Sequence, residues 1–176
     1  MNETGPPRVV VGVDGSIASL QALRQAVAEA RRRGGELNVV HVDPAFVSSW
    51  ESISASQVDR RTETALRIVD NWLDEALGGP PADLPLRTTV IEEMAPGPAL
   101  VGQVGGQDEL LVIGASSSRR VGVRWAFGVG DYCTRHARCP VLVVPPPQLA
   151  RDLGGRSGLR WRQIELQLAE DLRGRS

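Results

Sequence analysis

The stretch RVVVGVD, residues 8–14, sets the fold class. It is an apolar run dominated by valine, bounded by Pro6-Pro7 before it and by Gly15 after it. A run this short that never alternates with polar residues suits a central parallel strand buried on both faces. Ser16 follows as an N-cap, because its hydroxyl can accept from the first free N–H groups of a helix. Leu20, Leu23, Val27 and Ala30 then recur at helical spacing. Arg31-Arg32-Arg33 and Gly34-Gly35 read as the last turn and stop signal of that helix. Residues 37–42, LNVVHV, form a second strand. The unit is strand–helix–strand, so the two strands are expected to be parallel with a right-handed crossover.

The same alternation continues to residue 145. Residues 43–56 read as a loop with Pro44 and several serines, followed by a longer helix with Val58, Ala65, Val69, Trp72 and Leu73 on its apolar face. Gly78-Gly79-Pro80-Pro81 ends it. A third strand is expected over 84–92, a short helix over 99–104 opened by Pro96-Gly97-Pro98, and a fourth strand over 109–114. The loop GASSSRRVGVRWAFGVGDY, residues 114–132, leads into a helix to about Arg138, and PVLVVP, residues 140–145, is a fifth strand. Strands alternating with helices define an α/β fold with a parallel sheet covered by helices on both faces. In such sheets, ligands sit at the carboxyl ends of the strands where the winding reverses.

Composition narrows the function. The chain has 176 residues and 41% hydrophobic residues but only 4% aromatics, so its core is aliphatic. The net charge of −1 argues against a nucleic-acid partner, which calls for a basic excess. No apolar run approaches the ~20 residues of a membrane span. The opening MNETGPPR has neither a basic region nor an apolar core, so a cytoplasmic location is expected. Residues 1–7 are read as disordered, 8–146 as the domain, and 147–176 as a linker with an amphipathic C-terminal helix. In that helix Trp161, Ile164, Leu168 and Leu172 make a narrow stripe that fits the parent domain, a dimer mate or another protein.

Cys133 and Cys139 lack metal-site spacing and read as two reduced structural thiols, and no metal site is expected. His41 and His136, the only histidines, read as structural. Glu92-Glu93 are adjacent on a strand, so their side chains point to opposite faces and make no acid–base dyad. With no nucleophile, base and orienting group in evidence, the chain is read as a binding protein, with slow ATP hydrolysis as the most that chemistry would add.

Three segments together resemble the universal stress protein family. They are the opening VVVGVDGSIAS, the second strand NVVHVDP, and the closing VIGASSS…DYCTRHARCPVLVVP. The resemblance implies a Rossmann-like five-stranded sheet in the order 3-2-1-4-5, and a homodimer formed through the last strand, Pro140–Val144. It also implies an adenine nucleotide, ATP or AMP, at the switch point between the first and fourth strands. Asp14 would lie near adenine and ribose, Val42 would flank the base, Gly12 and Gly15 would keep the first turn slim, and Gly12 and Val13 would count among the nucleotide-binding residues.

ATP-binding members carry G-x2-G-x9-G-[S/T] in the last loop. Set onto this chain, the pattern falls on Gly114, Ser117, Phe127 and Gly128, with Val129 and Gly130 following. Three of the four positions depart from it. Ser117 loses conformational freedom where phosphate approaches backbone, Phe127 brings a ring without a donor, and Gly128 lacks a hydroxyl. Ser116, Ser117, Ser118, Arg119, Arg120 and Arg124 could supply partial compensation. Two functions therefore compete: an adenine-nucleotide sensor with a degenerate phosphate loop, and a nucleotide-free dimeric interaction module.

Overall fold

The computed structural model describes residues 6–43, 55–115 and 128–148, with the backbone alone for 55–59. The elements are β1 (Arg8–Val13), α1 (Ile17–Arg33), β2 (Glu36–Asp43), α2 (Ala55–Leu77), β3 (Leu86–Glu92), α3 (Pro96–Val101), β4 (Leu110–Gly114), α4 (Val129–His136) and β5 (Val141–Val144). All four pairings are parallel, and the strand order is β3-β2-β1-β4-β5. This is the expected doubly wound sheet.

Strict alternation along each strand divides the core in two. Val9, Val11, Leu37, Val39, Leu110 and Val112 face α1 and α2, where Leu23, Val69, Trp72 and Leu73 meet them. Val10, Val40, Leu111 and Ile113 face the other way, toward Leu100 of α3 and Cys133 of α4. Because both faces are covered, the central strands carry no polar face.

The expected caps of α1 are present. Ser16 is in extended backbone and its Oγ accepts from the Ser19 N–H, while Gly34 closes the helix at φ 61°. The third helix differs from expectation. It begins at Pro96 and ends at Val101, three residues earlier than the spacing predicts. Proline at the first positions of a helix sacrifices no hydrogen bond, since those N–H groups have no intrahelical partner, so Pro96 and Pro98 start the helix rather than precede it. The third strand likewise starts at Leu86, and α4 stops at His136.

At the amino-terminal edge of the sheet Glu109 ties three segments together. Its Oε1 accepts from Arg8 Nε at 2.8 Å, and its Oε2 accepts from the N–H groups of Gly105 at 2.6 Å and Gly106 at 3.2 Å. Arg8 also donates to the Gln103 carbonyl at 2.9 Å. No spacing rule in the sequence links Arg8 to Glu109.

Cys133 and Cys139 are both buried and unpaired with one another. Burial, with Cys139 nearby, pushes the Cys133 thiol up to about 11. The thiolate is the reactive species, so Cys133 in the folded protein is expected to resist iodoacetamide at neutral pH and to react on denaturation. Equal alkylation rates in the folded and denatured protein would contradict this.

Candidate functional site

The carboxyl edge of β1, β2 and β4 gathers most of the residues singled out in the sequence. Gly12 and Val13 end β1, with Gly12 in register with Ile113 and Val13 with His41. Val42 is the next-to-last residue of β2, beside Ile91 of β3, and Gly114 ends β4. Gly128 is the N-cap of α4, whose first turn contains Val129 and Gly130. Gly130 lies over Ile113 and Val143, at the carboxyl ends of β4 and β5. Ser117 and Phe127 lie outside the described residues, as do Ser116, Ser118, Arg119, Arg120 and Arg124. The stripe Trp161, Ile164, Leu168 and Leu172 lies outside them too.

The two faces of this edge differ in chemistry. On the α3/α4 face, Val42 and Ile91 pack against the cluster that holds Val40 and Leu100, and Gly12 leaves just enough room for the Leu100 side chain. The result is an apolar bed at the ends of β1, β2 and β3, with the exposed Asp14 at the start of the turn beyond β1. On the α1/α2 face, His41 Nδ1 meets the Val13 carbonyl at 3.0 Å, and the His41 ring stands edge-on to Trp72 with centroids 5.0 Å apart. Trp72 packs in turn against Gly15, which has φ 74°.

Asp14 works in its own turn. Its Oδ1 accepts from the Ser16 N–H at 3.1 Å, the short-range bond that fits Asp to turns. A carboxylate accepts at both oxygens, so Oδ2 can take a ligand hydroxyl while Oδ1 holds the turn. The phosphate side is poorer. Gly128 offers no side-chain cap to α4, so the position that carries a Ser/Thr hydroxyl in the resembling ATP binders supplies none here. Gly114 meets α1: a Cβ on it would stand 2.6 Å from the Ala18 carbonyl carbon and the Ser19 nitrogen.

Other regions offer less. A groove at the opposite, amino-terminal edge is lined by residues including Arg31, Glu36, Asp83 and Leu84. There Arg31 is already engaged by both carboxylate oxygens of Asp83, at 2.8 and 2.7 Å. Among the described residues no three His, Cys, Asp or Glu side chains are grouped to hold a metal, and no helix is long and apolar enough to cross a membrane. Sequence reading missed Trp72 and His41 as a pair and the Ile91–Leu100 side of the bed. Helical periodicity marked Trp72 only as part of an apolar helix face, and Leu100 was not singled out.

A doubly wound parallel sheet whose winding reverses between β1 and β4 is the architecture of a nucleotide-type α/β domain. The chain belongs to the universal stress protein family, whose model matches residues 6–145. Among curated relatives, universal stress protein Rv2005c of Mycobacterium tuberculosis is 33% identical over 180 residues, covering 93% of this chain and 58% of the relative. Universal stress protein Rv2623 of the same organism is 29% identical over 181 residues, with the same shares covered. The chain thus spans under two thirds of the length of these relatives. Among solved structures, the universal stress protein UspA from Lactobacillus plantarum superposes with TM-score 0.57 at 22% identity, covering 81% of this chain and 99% of that one. A universal stress protein solved in complex with cAMP superposes with TM-score 0.56 at 22% identity, covering 82% and 100%. These likenesses share the fold.

Proposed function

We propose that this domain is a regulatory module that acts by binding an adenine nucleotide at the carboxyl edge of β1, β2 and β4, and that it performs no catalysis of its own. The observation that carries the reading is the apolar bed of Gly12, Val42, Ile91 and Leu100 beside the exposed carboxylate of Asp14. A purine face buries against such a bed, and ribose hydroxyls donate to Asp14. A family member in complex with cAMP supports the same ligand class. Without a hydroxyl at Gly128, terminal phosphates gain little, so AMP and adenosine are expected to bind about as well as ATP. The reading takes a cytoplasmic location, where Cys133 and Cys139 stay reduced.

A second reading rests on β5. It is an edge strand, and Val143 on it is 38% exposed, so a second copy pairing along residues 140–144 would cover an exposed apolar side chain and an open strand edge. On that reading the dimer itself, with no nucleotide, recruits a partner. Calorimetric titration of nucleotide-stripped protein with ATP, AMP and adenosine separates the two. The nucleotide reading expects binding that Asp14→Ala abolishes. A folded protein silent to all three ligands leaves the interaction module.

A further inference from the structure

We propose that His41 and Ser19 are positioning residues that clamp the Val13–Asp14 peptide from both sides and hold Asp14 in the orientation a ligand meets. The inference about ligand affinity rests on the nucleotide reading above; the clamp itself does not.

Val13 is the last residue of β1, so the peptide that follows it leads out of the sheet. Two side chains from different elements hold it. Its carbonyl meets Nδ1 of His41 at 3.0 Å, and its N–H, that of Asp14, donates to Ser19 Oγ at 3.3 Å. A carbonyl oxygen only accepts, so Nδ1 of His41 carries the proton. Holding both ends of one peptide plane restricts ψ of Val13 and φ of Asp14 together.

The clamp is braced. Ser19 is 3% exposed, its Oγ donates to the Ser16 carbonyl at 2.9 Å, and its N–H donates to Ser16 Oγ at 3.1 Å. The Ser16 N–H returns to Asp14 Oδ1 at 3.1 Å, which closes the chain of bonds on the carboxylate it positions. Trp72, 6% exposed, stands edge-on to the His41 ring and limits its rotation. His41 lies on the α1/α2 face, opposite the bed formed by Val42, so it acts through the backbone and touches no base there.

The test reads both levels. Amide hydrogen exchange at Asp14 is measured without ligand in ¹⁵N-labelled protein, and AMP affinity is measured by calorimetry. His41→Leu removes the donor but keeps an apolar contact for Trp72. Ser19→Ala removes the acceptor with minimal change of volume. His41→Asn restores an N–H at the place of Nδ1. Both deletions are expected to speed Asp14 exchange and weaken AMP by about tenfold, because each strands a polar group of the held peptide. His41→Asn is expected to return both to within about threefold of wild type, which a merely space-filling role would not produce.

Unchanged Asp14 exchange in folded His41→Leu and Ser19→Ala proteins overturns the clamp. Faster exchange with unchanged AMP affinity overturns its role in positioning. If the wild-type protein binds no nucleotide, the nucleotide reading falls; faster exchange in the two deletions then still upholds the clamp as what orders the Asp14 turn.

Discussion

Gly114→Ala is expected to lower stability by about 3 kcal/mol and the melting temperature by about 6–12 °C. The added Cβ would stand 2.6 Å from the Ala18 carbonyl carbon and the Ser19 nitrogen, and 2.9 Å from the Ala18 oxygen. These are backbone atoms in the first turn of α1. They cannot swing aside as a side-chain tip can, so β4 and α1 must separate to admit the methyl. Gly114 carries no positive φ, so the strain is one of contact alone. Thermal and urea melts of the folded variant read the effect directly, and wild-type stability would show that the contact relaxes freely.

This contact also changes how the last loop is read. The family pattern assigns Gly114 to a phosphate cradle, yet the packing of α1 on β4 is reason enough for a glycine there. Its presence therefore says little about phosphate. The positions that do speak to phosphate are those where the chain departs from the pattern, and of these Gly128 is visible as an uncapped helix start.

Most of the fold was legible because its signals are local. Valine runs marked β1 and β2, Ser16 and Gly34 marked the ends of α1, and each lies within a few residues of the element it delimits. The strand order was not legible from periodicity, since every buried strand presents the same apolar run whichever neighbour it takes. The order came through the resemblance. The site was half legible for a similar reason. Asp14, Gly12 and Val42 sit in recognisable strand ends, whereas Ile91 of β3 and Leu100 of α3 reach the edge from elements far apart in sequence. The bounds of α3 were set three residues late because Pro96-Gly97-Pro98 was read as leading into the helix, whereas these residues form its first turn.

Glu109 is the clearest product of long-range packing, and Glu109→Ala is expected to cost about 2–3 kcal/mol at neutral pH. Removing the carboxylate strands the Gly105 and Gly106 N–H groups and releases Arg8, so the start of β1 and the turn before β4 lose their shared anchor. Burial pushes the Glu109 carboxyl up, but the two glycine N–H groups and the Arg8 guanidinium outweigh it and hold it below the usual carboxylate range. The sign of the pH dependence follows. A depressed value means that the unfolded chain takes up the proton first, so the contribution of Glu109 is whole above the ordinary glutamate range and is lost as pH falls through the lower folded value. The stability gap between wild type and Glu109→Ala should therefore be widest near neutrality and narrow steadily in acid. Urea unfolding of both proteins across that range measures it. A gap that stays constant into acid would mean that Glu109 contributes packing alone, and that the N-terminal strand is held by its ladder to β2 and β4 without help from charge.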